Sequence, residues 1–344
     1  METPNQKPAI PAIIDQFPLG FQWATLDPFL FCVHHLDHYP KGNGQFGPDA
    51  IHLKNRQLGS DFEPRDGFRM YHGEEIPGFP VHPHRGFETI TIVRSGYADH
   101  ADSLGAAGRY GQGDVQWMTA GSGVQHSEMF PLLHTDKENT LELFQIWLNL
   151  PKKSKMVPAH FTMFWSEKIP KINLDNNKVE IFLIAGELEN QKSLSPPPDS
   201  WASNPESEIG VYLVKMQTGA KWTLPPTKNP ISRVLYFFSG KELIANKEKI
   251  NKGKGLRLNS QSQLELENQN EPLEFLVLQA KPIGEPVVQH GPFVMNTKEE
   301  IVQTFNDYNK TQFGGWPWDT SDVVHGKEIR RFAKYPNGKI ESPE

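Results

Sequence analysis

The chain has 344 residues, which is enough for one large domain or two of ordinary size. Its 29 prolines, 28 glycines and 11% aromatic residues favour a turn-rich β protein over a helical bundle. The formal net charge of −6 provides no electrostatic reason to bind DNA or RNA directly, and the single cysteine, Cys32, excludes an intramolecular disulfide and a thiolate metal cluster.

The targeting signals that a sequence can carry are not evident here. The N-terminal stretch METPNQKPAIPAII has no basic start followed by an apolar core, which predicts that there is no secretory signal. No run of about 18 apolar residues occurs, which predicts that nothing spans a membrane. With only one cysteine, a cytoplasmic, reducing location is expected.

Strand-like runs recur along the chain and are separated by Gly- and Pro-containing turns. The predicted strands are TITIV (89–93), LELFQIWL (141–148), VEIFLIAG (179–186), GVYLVKMQ (210–217), RVLYFFSG (233–240) and PLEFLVLQA (272–280). No helical patterns of 10 to 15 residues alternate with these strands, which argues against a parallel α/β sheet. The pattern predicts an all-β protein.

Three segments are predicted to connect or extend the strands. The Lys-rich, Pro-bounded stretch PKKSKMVP (151–158) has the composition of a surface linker between two halves. The polar, Pro-rich segment 190–207 is predicted to be a long loop that could act as a lid. From about residue 319 the chain is charged and aperiodic, which predicts an appended tail.

One helix is predicted near the end of the chain. Thr297 and Glu300 stand at the spacing of a capping box, which marks a helix N-terminus. Ile301, Phe305 and Tyr308 follow at i, i+4 and i+7 and form an apolar stripe. The stripe predicts packing of the helix against a sheet.

The stretch HPHRGFETITIV places His82 and His84 one residue apart at the start of a strand. Side chains at i and i+2 of a strand point to the same face, so the two imidazoles project together and make half of a metal site. For this pair alone, two half-buried histidines with backbone partners are the simpler interpretation, because the composition gives roughly half an H-x-H per chain by chance.

A second pair strengthens the metal interpretation. GDVQWMTAGSGVQHSEM (113–129) contains His126 and Glu128, again at i and i+2. Two strands that each offer two ligands inward could meet across a β-barrel. Three imidazoles and one carboxylate suit Fe, Mn, Ni, Cu or Zn and leave two positions open on a six-coordinate ion. The alternative is an ordinary hairpin with incidental polar residues.

Glu88 is a rival carboxylate. It follows His84 by four residues, so strand parity allows it to face the same interior. A bulge at Arg85 and Gly86 would break that parity. Glu128 is therefore the preferred ligand, and Glu88 is kept as a neighbouring or substitute carboxylate.

Other histidines have plainer interpretations. His100 and Asp102 also stand at i and i+2, but small and turn-prone neighbours favour a solvated strand end or turn. His34 and His38 share parity within HHLDHYP (34–40), and an exposed strand is the expected setting, although one of them could approach the mouth of the site.

Three motifs resemble those of the pirin family, whose members are two-domain cupins. They are HPHRGFETITIV, GDVQWMTAGSGVQHSEM and, near the end of the chain, GPFVMNTKEEI (291–301). The resemblance covers about residues 20–315. It implies a bicupin, with two tandem antiparallel β-barrels or sandwiches and a short C-terminal helix.

The resemblance also divides the chain. It implies an N-terminal metal-binding cupin domain at 1–150, a C-terminal cupin domain at 151–290, and a helix and tail at 291–344. The second domain contains no H-x-H or H-x-E pair, so it is expected to be free of metal.

Carried over residue by residue, the family's ligand set implies one metal ion bound by His82, His84, His126 and Glu128. The ion implied by the resemblance is Fe(II), with Mn, Ni, Cu and Zn as alternatives. The segment 190–207 and the tail depart from typical pirin length, which leaves specificity and partner choice open.

The resemblance implies one of two roles. The first is a quercetin 2,3-dioxygenase-like enzyme that acts on quercetin or a related flavonol or enol with O2. Glu128 could then shift between ligand and general base, taking the hydroxyl proton. The candidates for the substrate pocket are Phe87, Glu88, Trp117 and Met118.

The second role is a non-enzymatic, iron-dependent redox sensor that binds a partner protein as a co-regulator. A change of charge on a buried metal alters the local field and could reshape a surface that the partner reads. A sugar-binding or small-acid cupin is a third, weaker possibility. Sequence motifs do not separate the first two roles.

Overall fold

The computed structural model describes residues 11–343. The predicted absence of an N-terminal signal therefore rests largely on residues outside the described range. Within residues 11–343, no helix is both long enough and apolar enough to cross a bilayer.

Strands make up most of the regular structure. In chain order, the first strands are β1 (Ile13–Pro18), β2 (Gln22–Trp23), β3 (Phe29–Tyr39), β4 (Gly78–His84), β5 (Phe87–Ser95), β6 (Tyr97–Asp102), β7 (Ala107–Gly111), β8 (Asp114–Thr119), β9 (Val124–Met129), β10 (Asn139–Asn149) and β11 (His160–Phe164). The later strands are β12 (Lys171–Leu174), β13 (Val179–Ala185), β14 (Glu187–Leu188), β15 (Gln191–Lys192), β16 (Gly210–Met216), β17 (Lys221–Leu224), β18 (Ser232–Ser239), β19 (Glu242–Ala245), β20 (Glu248–Asn251), β21 (Lys254–Leu258), β22 (Leu264–Glu267), β23 (Leu273–Ala280), β24 (Val288–His290), β25 (Phe293–Met295), β26 (Phe332–Lys334) and β27 (Ile340–Glu341).

Helices are few and mostly short. The α-helices are α1 (Ala50–Leu53) and α2 (Lys298–Thr311), and the 3-10 turns are Lys152–Ser154, Trp201–Ser203, Pro205–Ser207 and Gln312–Gly314. The all-β prediction is confirmed, and all six predicted strands form, as β5, β10, β13, β16, β18 and β23. The sheets form sandwiches rather than closed barrels.

The chain folds into two compact units that alternate along the sequence. The histidine unit comprises residues 30–168, 196–203 and 284–343. The companion unit comprises residues 11–29, 169–195 and 204–283. The domain boundaries expected at 150 and 290 remain a prediction.

Two antiparallel sheets build the histidine unit. In one, the strands lie in the order β11-β8-β5-β10-β3, and in the other β27-β26-β7-β6-β9-β4. Apolar side chains from both sheets share one core, including Val93, Met118 and Leu143 from the first and Tyr110 and Val124 from the second. The candidate metal ligands lie on β4 and β9, which are neighbours in the second sheet.

The companion unit is built in the same way. One sheet has the order β1-β21-β18-β23-β16-β13-β12 and the other β17-β22-β19-β20. Its core is almost wholly aliphatic and aromatic, with Ile181, Trp222 and Phe275 among its members. In the described part of this unit, no group of three histidine, cysteine or acidic side chains is close enough to hold a metal.

The C-terminal helix forms as predicted. Thr297 Oγ1 accepts a hydrogen bond from the Glu300 backbone N–H, and the Glu300 carboxylate accepts one in return from the Thr297 backbone N–H. Ile301, Phe305 and Tyr308 pack in one apolar cluster that includes Phe293 of β25. The helix therefore rests on the β24–β25 hairpin.

The predicted surface linker at 151–158 is exposed at Lys152, Lys153, Met156 and Pro158 but not along its whole length. The segment lies inside the histidine unit, and Lys155 within it is only 1% exposed. Three oxygen acceptors surround the Lys155 ammonium and compensate its burial, which composition alone could not reveal.

The prediction of an appended tail is wrong. β26 pairs with β7, with Phe332 opposite Arg109 and Ala333 opposite Gly108, so the tail extends the second sheet of the histidine unit. An uncovered edge strand such as β7 exposes unpaired backbone groups, and the tail supplies their partners.

Candidate metal centre

Three imidazoles meet inside the histidine unit. His82 on β4 and His126 on β9 are register partners, so their side chains share the inner face of the sheet, and their ring centroids lie 4.4 Å apart. His84, two residues further along β4, lies 4.8 Å from His82 and 4.9 Å from His126 by the same measure. One nitrogen of each ring lies within 4.8 Å of the others, a spacing that could hold a metal ion.

Burial keeps these imidazoles neutral. It lowers the pKa of His82 to about 4, and it lowers the pKa values of His84 and His126 well below the usual 6.5, with the neighbouring imidazoles acting in the same direction. The His82 Nδ1 lies 2.8 Å from the Pro80 carbonyl oxygen, which leaves Nε2 for the cluster. Neutral rings with free lone pairs are the form that binds a divalent metal.

His126 provides the test of whether a metal fits. Both of its ring nitrogens are buried, and neither has a hydrogen-bond partner among residues 11–343. Buried polar atoms without partners are costly and rare. A metal ion bound at one nitrogen would remove much of that cost, so the residues present fit a metal.

Glu128 lies beside the imidazoles and is held by three donors. Its Oε2 lies 3.9 Å from His126 Nε2 and accepts a 2.7 Å hydrogen bond from Gln145 Nε2. Its Oε1 accepts from Thr91 Oγ1 at 3.2 Å and from Tyr110 Oη at 3.4 Å. Burial raises the pKa of Glu128, although the nearby His100 and these donors oppose the shift.

The predicted substrate-pocket residues divide between two faces of one sheet. Phe87 lies on the inner face, with its ring 5.0 Å from that of His84, and Met118 shares this face as the register partner of Thr89. Glu88 and Trp117 lie on the opposite face by strand parity. The structure therefore brings only Phe87 and Met118 to the side of the imidazoles.

Glu88 is separated from the imidazoles because β4 and β5 are distinct strands. Gly86, at φ +85°, makes the turn between them and breaks the parity that would have continued from His84. Glu88 instead accepts hydrogen bonds from Thr119 Oγ1 at 2.7 Å and from Ser200 Oγ at 2.5 Å. The segment predicted as a lid thus supplies one donor to this carboxylate.

The prediction of a solvated strand end at His100 and Asp102 is wrong. Both residues are buried on β6, and His100 and Glu128 are register partners. The His100 Nε2 lies 3.2 Å from Asp102 Oδ2, and its ring lies 5.5 Å from that of His126. Backbone N–H groups of the following turn donate to the other Asp102 oxygen, which accounts for its burial.

The histidines of HHLDHYP lie on β3, in the first sheet of the histidine unit, whereas the imidazole cluster lies on the second sheet. His34 Nε2 lies 2.9 Å from Glu142 Oε1, and its ring stacks on Phe144 with centroids 4.5 Å apart. His38 is exposed, as expected, whereas His35 is buried among aromatic rings.

The sequence patterns did not identify Phe79, Gln145 and Trp147 as residues that share the inner face with the imidazoles. Gln145 and Trp147 alternate with apolar residues in LELFQIWL, and that alternation was the available signal that they share one face. Their registers with Thr91 and Thr89 show that this face is the inner one. Phe79 is the register partner of Glu128 and points the same way.

Comparisons with known proteins identify the family of the chain. The family model described as Pirin matches residues 21–148, and the one described as Pirin C-terminal cupin domain matches residues 211–314. Pirin from Rattus norvegicus is 36% identical over 253 residues, which cover 72% of this chain and 81% of that protein. A pirin-like protein from Solanum lycopersicum is 35% identical over 245 residues, which cover 67% of this chain and 75% of that protein.

A solved structure shares the fold. The crystal structure of quercetin 2,3-dioxygenase from Acinetobacter baumannii superposes with a TM-score of 0.68 at 28% identity, covering 89% of this chain and 99% of that one. Two family matches, relatives above 30% identity and the paired imidazole strands all lead to the same conclusion. The chain belongs to the pirin family.

Proposed function

We propose that the chain is a metal-dependent dioxygenase that acts on quercetin or a related flavonol. His82, His84, His126 and Glu128 would hold one Fe(II) ion in the histidine unit. The observation that carries this proposal is the cluster of three neutral imidazoles, in which both nitrogens of His126 are buried without a partner among the described residues. The name of the Acinetobacter baumannii structure supports the choice of substrate.

When bound, Fe(II) would supply Lewis-acid and redox chemistry at this site. The chain's own contribution is centred on Glu128. Thr91 and Tyr110 both donate to its Oε1, whereas Oε2 accepts one hydrogen bond, from Gln145, and lies on the side of His126, so Oε2 is the oxygen placed to accept the proton of a substrate hydroxyl.

The remaining inner-face side chains favour an aromatic substrate. Phe87 packs against Trp147 with ring centroids 4.3 Å apart, and Trp147 lies 5.4 Å from His84. Flat apolar surfaces beside the imidazoles exclude water and suit a planar ring.

Oxygen uptake by protein reconstituted with Fe(II) tests the proposal. We expect quercetin to start oxygen consumption in the Fe(II)-loaded protein and not in the chelator-treated protein. The Glu128→Gln variant should lose at least about 100-fold in rate, the usual contribution of a general base. A fully loaded wild-type protein that consumes no oxygen with several flavonols would contradict the enzyme assignment and favour the redox-sensing co-regulator.

A further inference from the structure

The companion unit holds a buried cation at one end of its sandwich. Leu235 and Phe237 of β18 belong to the apolar core, and Arg233 precedes Leu235 by two residues, so its side chain faces the same interior. Arg233 is only 3% exposed, and its register partner on β23 is Gln279. A guanidinium is therefore enclosed beside an interior that is otherwise apolar.

No carboxylate compensates the charge of Arg233. The two other arginines that are equally buried, Arg85 and Arg109, are paired with Asp307 and Asp99. Arg233 forms no ion pair within the described part of the chain. Burial lowers its pKa to about 10, which still leaves the side chain charged at neutral pH. A buried charge without a counter-ion is costly, so the missing partner points to an anion from outside the chain.

Two hydrogen bonds fix the orientation of the guanidinium. Its Nε donates to Gln279 Oε1 at 2.8 Å, and its Nη1 donates to the Pro225 carbonyl oxygen at 2.9 Å. A guanidinium carries five N–H groups, so the other three, including both on Nη2, have no acceptor among the described residues. Nη2 is not one of the fully enclosed atoms that lack a partner, so it lies at the accessible edge of the side chain.

The charges around Arg233 favour an anion with a single negative charge. One guanidinium balances one charge, and its planar N–H groups match the oxygens of a carboxylate. Glu208 is close enough to affect the pKa of Arg233, but its Oε1 accepts from Asn229 Nδ2 at 2.5 Å instead of from the guanidinium. Its charge opposes phosphate, which carries up to about two negative charges, more strongly than it opposes a monoanion.

We propose that Arg233 is the anchor of a second ligand site, in the companion unit, that binds a small monocarboxylate. The carboxylate oxygens accept from the free N–H groups of the guanidinium, while Gln279 and Pro225 hold its plane in place. The site uses no residue of the imidazole cluster. It is therefore independent of the proposed dioxygenase activity.

Acetate is the probe, added to the full-length protein as purified. The Nε–H of Arg233 is buried and hydrogen-bonded, so its proton exchanges slowly with water and its resonance can be followed by nuclear magnetic resonance. We expect a saturable shift of this resonance, half complete below about 10 mM acetate. Chloride at the same ionic strength should not reproduce it.

Two substitutions should change the binding of acetate in opposite directions. Glu208→Gln removes the opposing charge and should tighten acetate by about threefold or more. Arg233→Met removes the anchor and should abolish the rise in Tm that acetate causes relative to chloride. This variant is expected to fold, because an apolar side chain of similar length replaces a buried charge without a partner.

Controls separate this site from other places where acetate could bind. Arg257→Met changes an arginine of the companion unit that is 44% exposed, and it should keep the acetate-dependent rise in Tm. His126→Ala disrupts the imidazole cluster and should keep it too, because the anion is not bound there.

Three results would overturn the proposal. They are an acetate shift that does not saturate, an acetate-dependent rise in Tm that persists in Arg233→Met, and tighter binding of phosphate than of acetate. A saturable shift together with loss of the rise in Tm in Arg233→Met alone would support it. These measurements use neither quercetin nor oxygen, so their outcome does not depend on whether the protein is a dioxygenase.

Discussion

Lys155 Nζ donates a 2.7 Å hydrogen bond to the main-chain oxygen of Gly86, the glycine that separates the strand of His82 and His84 from β5. The same ammonium donates to Asn149 Oδ1 at 2.7 Å. A single buried lysine thus joins the turn that follows the two histidines to the end of β10.

Replacing Lys155 tests this connection. Lys155→Met removes a charged donor, so the buried oxygens of Gly86, Asn149 and Val294 lose a hydrogen bond each. We therefore expect the free energy of unfolding to fall by about 2–4 kcal/mol. Urea denaturation of the metal-free protein measures the loss. Lys153→Met, at an exposed lysine two residues away, is the matched control and should change stability by less than about 0.5 kcal/mol. Equal effects of the two variants would rule out the role assigned to Lys155.

Gly86 itself is expected to tolerate no side chain. Its φ is +85°, and a Cβ atom there would lie 2.0 Å from the Val294 carbonyl oxygen. Gly86→Ala should therefore destabilise the protein by more than the roughly 1–2 kcal/mol that a left-handed backbone costs an L residue. Gly105→Ala, at φ +79° with no atom within 4 Å, isolates that backbone cost. If melting temperatures fall equally in both variants, the contact with Val294 has no energetic consequence.

The tail contributes to the stability of the sheet that carries the imidazoles. Arg109 and Asp99 form a fully buried ion pair, with Nη2 and Oδ2 2.6 Å apart, and residues of the tail complete it. His325 donates its backbone N–H to Asp99, and the Gly326 carbonyl oxygen accepts from Arg109. Arg109→Met leaves the buried carboxylate of Asp99 without its cation, so the free energy of unfolding should fall by about 3–5 kcal/mol. The tail should also become sensitive to limited proteolysis.

The matched control for this pair is exposed. Arg257 and Asp15 lie 3.2 Å apart but are 44% and 46% exposed, so Arg257→Met should cost no more than about 1 kcal/mol. A tail that resists proteolysis equally in Arg109→Met and in the wild type would show that the buried pair does not anchor it.

Residue spacing predicted correctly which side chains within one strand share a face, but it could not predict which residues of different strands lie together. The i, i+2 spacing placed His82 beside His84, and that relation depends only on the geometry of one strand. The inner-face position of Gln145 depends on its register with Thr91 across two strands, which no local pattern encodes.

Charged residues were the hardest to place from sequence. Lys155 was expected at the surface because lysines are rarely buried. Its acceptors lie up to 139 positions away in the chain, so no local pattern could identify them. Two of the partners of Arg109, Gly326 and Glu328, lie in a segment without periodicity, so its complete set of contacts could not be predicted either.

Glu88 should make stability depend on pH. Burial raises the pKa of its carboxyl group from 4.5 to about 7, even though Ser200 and Thr119 donate to it. Between these two values the folded state holds a proton that the unfolded state releases, so stability falls as pH rises from 4.5 to 7. A shift of this size corresponds to about 3 kcal/mol.

Glu88→Gln removes the titrating group and keeps the shape of the side chain. The difference in unfolding free energy between this variant and the wild type should therefore change by about 3 kcal/mol from pH 4.5 to pH 7, in favour of the variant at the higher pH. Urea titrations at several pH values measure it. A difference that stays constant with pH would mean that Glu88 titrates normally in the folded protein.

The metal content of the purified protein tests most directly the proposal that His82, His84, His126 and Glu128 hold one metal ion. Elemental analysis should find about one ion per chain in the wild type and in His38→Ala, at an exposed histidine outside the cluster. His126→Ala should retain less than about a tenth of that content while remaining folded by circular dichroism. Metal bound equally by wild type and by His126→Ala would contradict the account.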